Sequence, residues 1–202
     1  MRRDDMTQRF FVKHHEQGFT LLELIIVVIV VAILASIALP NYRNMVVRNA
    51  ESEVQSTMGR IQVDLDRWRA SAMTYRGFVP VRDVDNNGRL IHSYGDNNNT
   101  PNGTVIFVPL GSNQNNFRYR IELRDGDNTA VGLNPAINAN IVGSGRSWVM
   151  HATPNPNNGS INNASAFVLR STGFKCKSSA GANPTVVGLA TTTCNAAGQE
   201  TW

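Results

Sequence analysis

The sequence predicts an α+β fold in which helical segments precede an antiparallel sheet. An almost uninterrupted apolar run covers residues 19–39, a helical pattern of apolar residues follows it, and segments with strand character appear after residue 103. Helices and strands therefore do not alternate along the chain, and this order favours an antiparallel sheet over a parallel one. Residues 40–202 are numerous enough for one domain with a modest core.

The apolar run from Phe19 to Leu39 is long enough to cross a membrane. Its 21 residues would extend about 32 Å as a helix, which is the thickness of a bilayer's hydrocarbon core. Glu23 is the single charged residue in this run. A charge in a bilayer costs a few kcal/mol or more, so it usually marks a functional pairing. We therefore predict a transmembrane helix in which Glu23 needs a partner.

Neither a secretory signal peptide nor a plain membrane anchor explains all the features of this run. A secretory signal peptide has an apolar core of roughly 7 to 15 residues and a small-residue cut site, which Ala38 would imitate. The run here is longer, and it contains a carboxylate. A plain membrane anchor fits the length but gives no reason for Glu23. Basic residues lie on both sides of the run, so they leave its orientation open.

The stretch GFTLLE, with Gly18, Phe19 and Glu23, resembles the N-terminal motif of type IV pilins and of the pseudopilins of type II secretion. The resemblance implies that a prepilin peptidase cuts between Gly18 and Phe19 and methylates the new terminus, so that residues 1–18 are a cleaved leader. It also implies that Glu23 of an incoming subunit meets the terminal amine of a subunit already in the filament. A Glu23 that snorkels toward lipid headgroups is the alternative.

The resemblance also implies a location and a set of partners. The protein would lie in the inner membrane with a periplasmic C-terminus before assembly, and in an extracellular pilus afterwards. Its partners would be other pilin subunits, the prepilin peptidase, the inner-membrane assembly platform and the membrane itself. Residues 50–78 look more like a minor pilin than a shaft subunit. A type II secretion pseudopilin and a membrane-anchored periplasmic binding domain are the alternatives.

Pro40 ends the apolar run, and an amphipathic helix is predicted from there to residue 72. A proline inside a helix removes a hydrogen bond, so we expect a kink at Pro40 or the start of a separate helix. Beyond it, apolar residues recur every three or four positions with charges between them. We expect this apolar stripe to pack on the globular domain: Val47, Ala50, Val54, Met58, Ile61, Leu65, Trp68 and Ala72.

Residues 73–103 form a predicted connector that is rich in turn residues and has little periodicity. Within it, Asp83, Asp85 and Asn87 alternate before a glycine, as in the first half of an EF-hand calcium loop. The second half departs from that pattern because Tyr94 stands where a bidentate Glu belongs, so Asp96 or backbone carbonyls would have to substitute. An ordinary Asn/Asp-Gly turn is the alternative. Calcium is the one cofactor that the sequence suggests.

Residues 104–202 are predicted to carry the sheet. Strand character is found in 104–110, 117–123, 147–152 and 166–171. Alternation in the second segment places Phe117 and Tyr119 on the core face, and Arg118 and Arg120 on the solvent face. These arginines raise the possibility of DNA contact. The aromatic rings point away from them, however, so the pattern gives DNA binding little support.

Cys176 and Cys194 are the two cysteines of the chain, and they lie at no zinc-ligand spacing. A disulfide in an oxidising compartment and two unlinked buried thiols both fit this usage. The resemblance favours the disulfide, because pilins often carry a C-terminal disulfide-bounded loop. His151 is expected to be an ordinary surface or core residue. The sequence combines no nucleophile, base and orienting acid, so we infer that the protein is not an enzyme.

Overall fold

The computed structural model describes residues 19–95, 103–135, 143–179 and 183–202. The chain comprises two compact units, Met1–Asn41 and Tyr42–Trp202. Within the described ranges, helix α1 is followed by short strands, which confirms the predicted α+β order. The elements are α1 (Leu21–Ala72), β1 (Val81–Val84), β2 (Leu90–His92), β3 (Val105–Val108), β4 (Tyr119–Asp125), β5 (Trp148–Pro154), β6 (Phe167–Arg170), β7 (Lys175–Ser178) and β8 (Gln199–Glu200).

Pro40 lies inside helix α1. The alternative in which Pro40 begins a separate helix is therefore wrong. A proline removes one N–H donor from the helix, and the residues on both sides keep their helical conformation despite this loss. The predicted kink at Pro40 stays a prediction.

The second half of α1 contributes a continuous apolar stripe to the core. Ala50, Val54, Met58, Ile61 and Leu65 are all buried, as their spacing of three or four residues predicts. The stripe weakens at both ends, since Val47 is partly buried and Trp68 is 37% exposed. The helical periodicity of the sequence therefore located the buried face of the helix correctly from Ala50 to Leu65, which is about four turns.

β3 to β8 form a six-stranded antiparallel sheet in sequence order, and β1 and β2 form a separate two-stranded hairpin. The inner face of the large sheet packs in one cluster with the α1 stripe, and it includes Ile106, Ile121, Met150, Phe167 and Leu169. Alternate residues point to the opposite side, which we call the outer face. The short strands β7 and β8 were not predicted, because KCKS and QE lack an apolar alternation.

The predicted alternation fails at the start of β4. The strand begins at Tyr119, two residues later than predicted. Phe117 packs against Phe107 of the outer face, with ring centroids 5.0 Å apart. Arg118 instead forms an ion pair of 2.9 Å with Glu53 of α1. Phe117 and Arg118 thus lie on the sides opposite to those predicted, because the residues before Tyr119 do not follow the pleat of the strand.

The predicted connector contains a β-hairpin that was not predicted from the sequence. β1 pairs with β2 in an antiparallel register, with Asp83 opposite Ile91 and Val84 opposite Leu90. Both strands are short, and all three residues of β2 are exposed, so the segment has no buried face to create an apolar pattern. Residues 96–102 of the connector lie outside the described residues.

Candidate functional site

Thr20 caps the N-terminus of helix α1. Its hydroxyl oxygen accepts a hydrogen bond of 3.2 Å from the backbone N–H of Glu23, and its carbonyl accepts one of 3.2 Å from Leu24. Thr20 and Glu23 therefore stand at the first and fourth positions of a capping-box sequence, with the first of its two hydrogen bonds formed. The pattern Thr-x-x-Glu signals this cap in the sequence, although the cap was not among the predicted features.

The Glu23 carboxylate makes no hydrogen bond or ion pair with any other residue from 19 onward that the structure describes. It lies in the first turn of the helix, where the dipole favours a negative charge. The side chains near it on the helix are apolar, and they too are exposed. Leu22 is 69% exposed and Ile29 is 53% exposed. The carboxylate and the apolar surface beside it are thus both available to groups outside the described chain.

Large apolar side chains are exposed at Phe19, which is 85% exposed, and along the whole first part of α1 as far as Leu39, which is 61% exposed. The helix is long and apolar enough to cross a membrane. Ser36, a polar residue within this part, donates its hydroxyl to the Ile33 carbonyl at 2.7 Å and so needs no outside partner. An exposed apolar surface of this extent marks a site of contact with lipid or with other proteins. Gly18, the predicted cleavage position, lies outside the described residues.

Cys176 and Cys194 form a disulfide, which confirms the predicted pairing. Their Cα atoms are 5.5 Å apart, within the usual range for such a bond. The enclosed loop covers part of the outer face, where Val187 packs with Val149, Val168 and Cys176 in a second apolar cluster. No pattern in the sequence predicts this cluster, because it depends on a loop folding back over strands that are distant in sequence.

The structure does not support the predicted calcium site. The Asp85 carboxylate accepts hydrogen bonds from the backbone N–H groups of Asn87, at 2.9 Å, and Arg89, at 2.8 Å. It therefore closes the turn between β1 and β2, while Asp83 belongs to β1 itself. Within the described ranges, no group of three or more His, Cys, Asp or Glu residues is arranged to hold a metal ion. Asp96, the predicted substitute ligand, lies outside those ranges.

The two arginines considered for DNA contact both have carboxylate partners. Arg118 pairs with Glu53 at 2.9 Å, and Arg120 Nη2 pairs with Glu122 Oε1 at 3.0 Å. Ion pairing reduces the positive potential that a phosphate backbone would meet. The arginines also do not share one face, contrary to the predicted alternation. The structure therefore adds no support for DNA binding.

A second set of polar contacts between α1 and the sheet surrounds Ser165. Its backbone N–H donates to Glu51 Oε1 at 2.7 Å, and its carbonyl accepts from the Tyr119 hydroxyl at 2.8 Å. Burial, reinforced by the negative charge of Glu51, raises the pKa of Tyr119 far above its ordinary value. Tyr119 therefore stays protonated near neutral pH and acts as a hydrogen-bond donor to Ser165.

The comparisons with known proteins concern both the N-terminal helix and the rest of the chain. The family model described as the prokaryotic N-terminal methylation motif matches residues 13–39. The type IV major fimbrial protein FimA of Dichelobacter nodosus is 43% identical over 54 residues, which are 27% of this chain. The fimbrial protein EcpB of Eikenella corrodens is 30% identical over 130 residues, which cover 61% of this chain and 77% of EcpB.

The chain belongs to the type IV pilin family. This pilin spans 35% of the length of FimA, so that likeness concerns a limited part of FimA. A probable minor fimbrial protein of Dichelobacter nodosus is 44% identical to it over 50 residues. Major and minor fimbrial proteins thus both occur among its relatives. No solved structure matches the pilin.

The methylation motif coincides with the part of the pilin whose large apolar side chains are exposed. The matched residues include Gly18, Phe19 and Glu23, and they end at Leu39, where the apolar run ends. The helix cap at Thr20 and the exposed apolar surface therefore fall inside the matched segment. Together they define the candidate functional site, an apolar helix with one carboxylate in its first turn.

Proposed function

We propose that this pilin is a structural subunit of a type IV pilus, of the minor class, and is held in the filament by its N-terminal helix. The observation that carries the proposal is the exposed apolar surface of residues 19–39 with the single carboxylate of Glu23. In the membrane, lipid would cover this surface. In the filament, the equivalent helices of other subunits would cover it, and the subunit would support adhesion, twitching motility or DNA uptake.

Processing would take place at the junction of Gly18 and Phe19. A prepilin peptidase would remove residues 1–18 and methylate the amine of Phe19. Cleavage at this point creates a cation one turn from the Glu23 carboxylate in sequence, at an end of α1 that is exposed. The pilin would then wait in the inner membrane, with residues 40–202 in the periplasm, until the assembly platform adds it to a filament.

Glu23 would pair with the terminal amine of a neighbouring subunit. Within one described chain its carboxylate has no partner, and Thr20 occupies the backbone N–H of Glu23 while leaving the carboxylate free. A buried ion pair adds little stability over apolar packing, but breaking one leaves an uncompensated charge at a cost of roughly 3–5 kcal/mol. The pairing would thus reject subunits placed out of register along the filament axis.

The proposal is tested by two measurements on cells that produce pili. Mass spectrometry of the native protein is expected to show N-methylated Phe19 as the first residue. Glu23→Ala is expected to reach the membrane at normal levels and to be depleted at least tenfold from sheared pili. Ile29→Val, a change in the same apolar surface without loss of charge, is the matched control and should assemble normally.

Three results would count against the proposal. A protein that retains residues 1–18, or that is cut near Ala38, would be a generic exported domain. Normal incorporation of Glu23→Ala would exclude the pairing. Methylated protein that is absent from pili but required for protein secretion would indicate a type II secretion pseudopilin instead.

A further inference from the structure

The part of helix α1 that follows the apolar run carries a tyrosine and two arginines on its surface. Tyr42, Arg43 and Arg48 are all exposed, and we call these three residues the collar. They follow Leu39, the last residue of the apolar run, by three to nine positions in the same helix. The collar therefore begins within one turn of the end of the apolar surface.

The positive charge of the collar is not neutralised within the described chain. Neither guanidinium has a hydrogen bond or an ion pair with a residue that the structure describes. The next carboxylates along the helix, those of Glu51 and Glu53, are engaged by the Ser165 N–H and by Arg118. Between Glu23 and Glu51 the sequence contains no charged residue other than the two arginines of the collar. The collar is thus a zone of positive charge that follows an uncharged surface.

The collar surrounds the helix and does not form a single face. At 3.6 residues per turn, successive positions differ by about 100°, so Arg43 and Arg48 point in directions about 140° apart. A partner helix that lies against one face of α1 would contact one of these arginines. Lipid headgroups surround a membrane helix on all sides, so they can contact both. This distribution favours a lipid surface over a protein partner.

Both arginines are within reach of the headgroup region of a bilayer. With a rise of about 1.5 Å per residue, Arg43 lies about 6 Å and Arg48 about 14 Å beyond Leu39 along the helix axis. The headgroup region of one leaflet is about 5–8 Å thick. Helix side chains point back toward the N-terminus, and arginine is long enough to place its guanidinium among the headgroups. Tyrosine is also enriched at this level, which suits Tyr42.

We propose that the collar binds anionic phospholipid headgroups while the pilin is in the membrane. Guanidinium groups bind phosphate in a bidentate manner, and each basic residue near an anionic membrane surface strengthens the contact by about fivefold. This inference rests on the membrane stage of the proposed function. The contact would set the depth of α1 in the bilayer, and it would have to break when the pilin leaves the membrane for a filament.

The test uses the full-length protein in nanodiscs that contain equal amounts of phosphatidylglycerol, which is anionic, and phosphatidylcholine, which has no net charge. Native mass spectrometry of the released protein identifies the phospholipids that stay bound. The wild-type protein is expected to retain phosphatidylglycerol at least tenfold over phosphatidylcholine, and salt should weaken this preference. Arg43→Gln and Arg48→Gln should each reduce the preference at least threefold, and the double variant should retain both lipids equally.

Arg60→Gln is the matched control. Arg60 is an exposed arginine of the same helix, about 18 Å beyond Arg48, so its loss should leave the lipid preference unchanged within twofold. Equal retention of the two lipids by the wild-type protein would overturn the proposal, and so would a preference that survives in the double variant.

A protein partner for the collar would give a different result. If the two arginines bind another copy of the pilin instead of lipid, the double variant would keep the lipid preference and be depleted from sheared pili, which would also overturn the proposal. Nanodiscs contain no filament, so a failure of the lipid test leaves the proposed pilus role unaffected. A protein that is absent from pili can, conversely, still show the lipid preference.

Discussion

Glu51 on α1 and Ser165 before β6 are joined by a hydrogen bond of 2.7 Å, although they are 114 positions apart in sequence. The carboxylate accepts from a backbone N–H that belongs to a nearly fully buried residue. The carbonyl of the same residue is satisfied by Tyr119. A helix side chain therefore completes the hydrogen bonding of a loop that would otherwise carry an unpaired buried donor.

We expect Glu51→Ala to lower the stability of the protein by about 1–3 kcal/mol, because the Ser165 N–H would be buried without an acceptor. Glu51→Gln keeps an acceptor oxygen and should cost less. Glu53→Ala is the control on the same helix, since the Glu53 ion pair with Arg118 is partly exposed and contributes about 0–1 kcal/mol. Urea unfolding followed by fluorescence measures all three. An effect of Glu53→Ala equal to that of Glu51→Ala would contradict this account.

Loss of the disulfide should destabilise the outer face of the sheet. We expect replacement of both Cys176 and Cys194 by serine to cost about 2–5 kcal/mol, because the closed loop restricts the unfolded chain and holds Val187 on the sheet. Thermal melting in the presence and absence of a reductant measures the effect. The reductant should lower the melting temperature of the wild-type protein and leave the double variant unchanged. An equal response of both proteins would show that the disulfide is not the cause.

Stability should depend on pH through His151. Burial lowers the pKa of its imidazole below the ordinary value of about 6.5, although Glu122 opposes this shift. Below about pH 6.5 the unfolded chain then binds a proton that the folded protein resists, so stability falls as the pH falls through this window. Glutamine does not titrate, so we expect His151→Gln to make stability less dependent on pH. The change should appear between about pH 6.5 and the lowered pKa of His151 in the folded protein. The melting temperatures of the wild-type protein and the variant are measured at several pH values. If both change with pH in the same way, His151 does not have this role.

Asp85 is expected to act as a turn residue and not as a calcium ligand. Asp85→Ala removes the acceptor for two backbone N–H groups and should cost about 1 kcal/mol, because these groups can still reach water. Asn86→Ala, in the same turn, should cost less, since the Asn86 side chain caps neither N–H group. Calcium or a chelator should leave the wild-type melting temperature unchanged. If calcium raises the melting temperature of the wild-type protein but not that of Asp85→Ala, calcium binds at this turn and this prediction is wrong.

Some features of this pilin follow from the sequence alone, because they rest on local periodicity. A helix repeats every 3.6 residues, so the spacing from Ala50 to Leu65 was enough to locate its buried face. The same holds for the strand character of four segments, all of which contain strands in the structure. The motif around Glu23 and the length of the apolar run were also readable, since both depend on neighbouring residues only.

Other features were decided by tertiary structure. The sides on which Phe117 and Arg118 lie depend on where β4 pairs with β3, and no local pattern contains that register. The β1–β2 hairpin and the strand β7 are short and show no alternation of apolar and polar residues, so strand pairing, and not a side-chain pattern, defines them. The second apolar cluster exists because the loop that carries Val187 folds back over strands that are distant in sequence. Local geometry determined the elements of this protein, and non-local contacts determined the surfaces that those elements share.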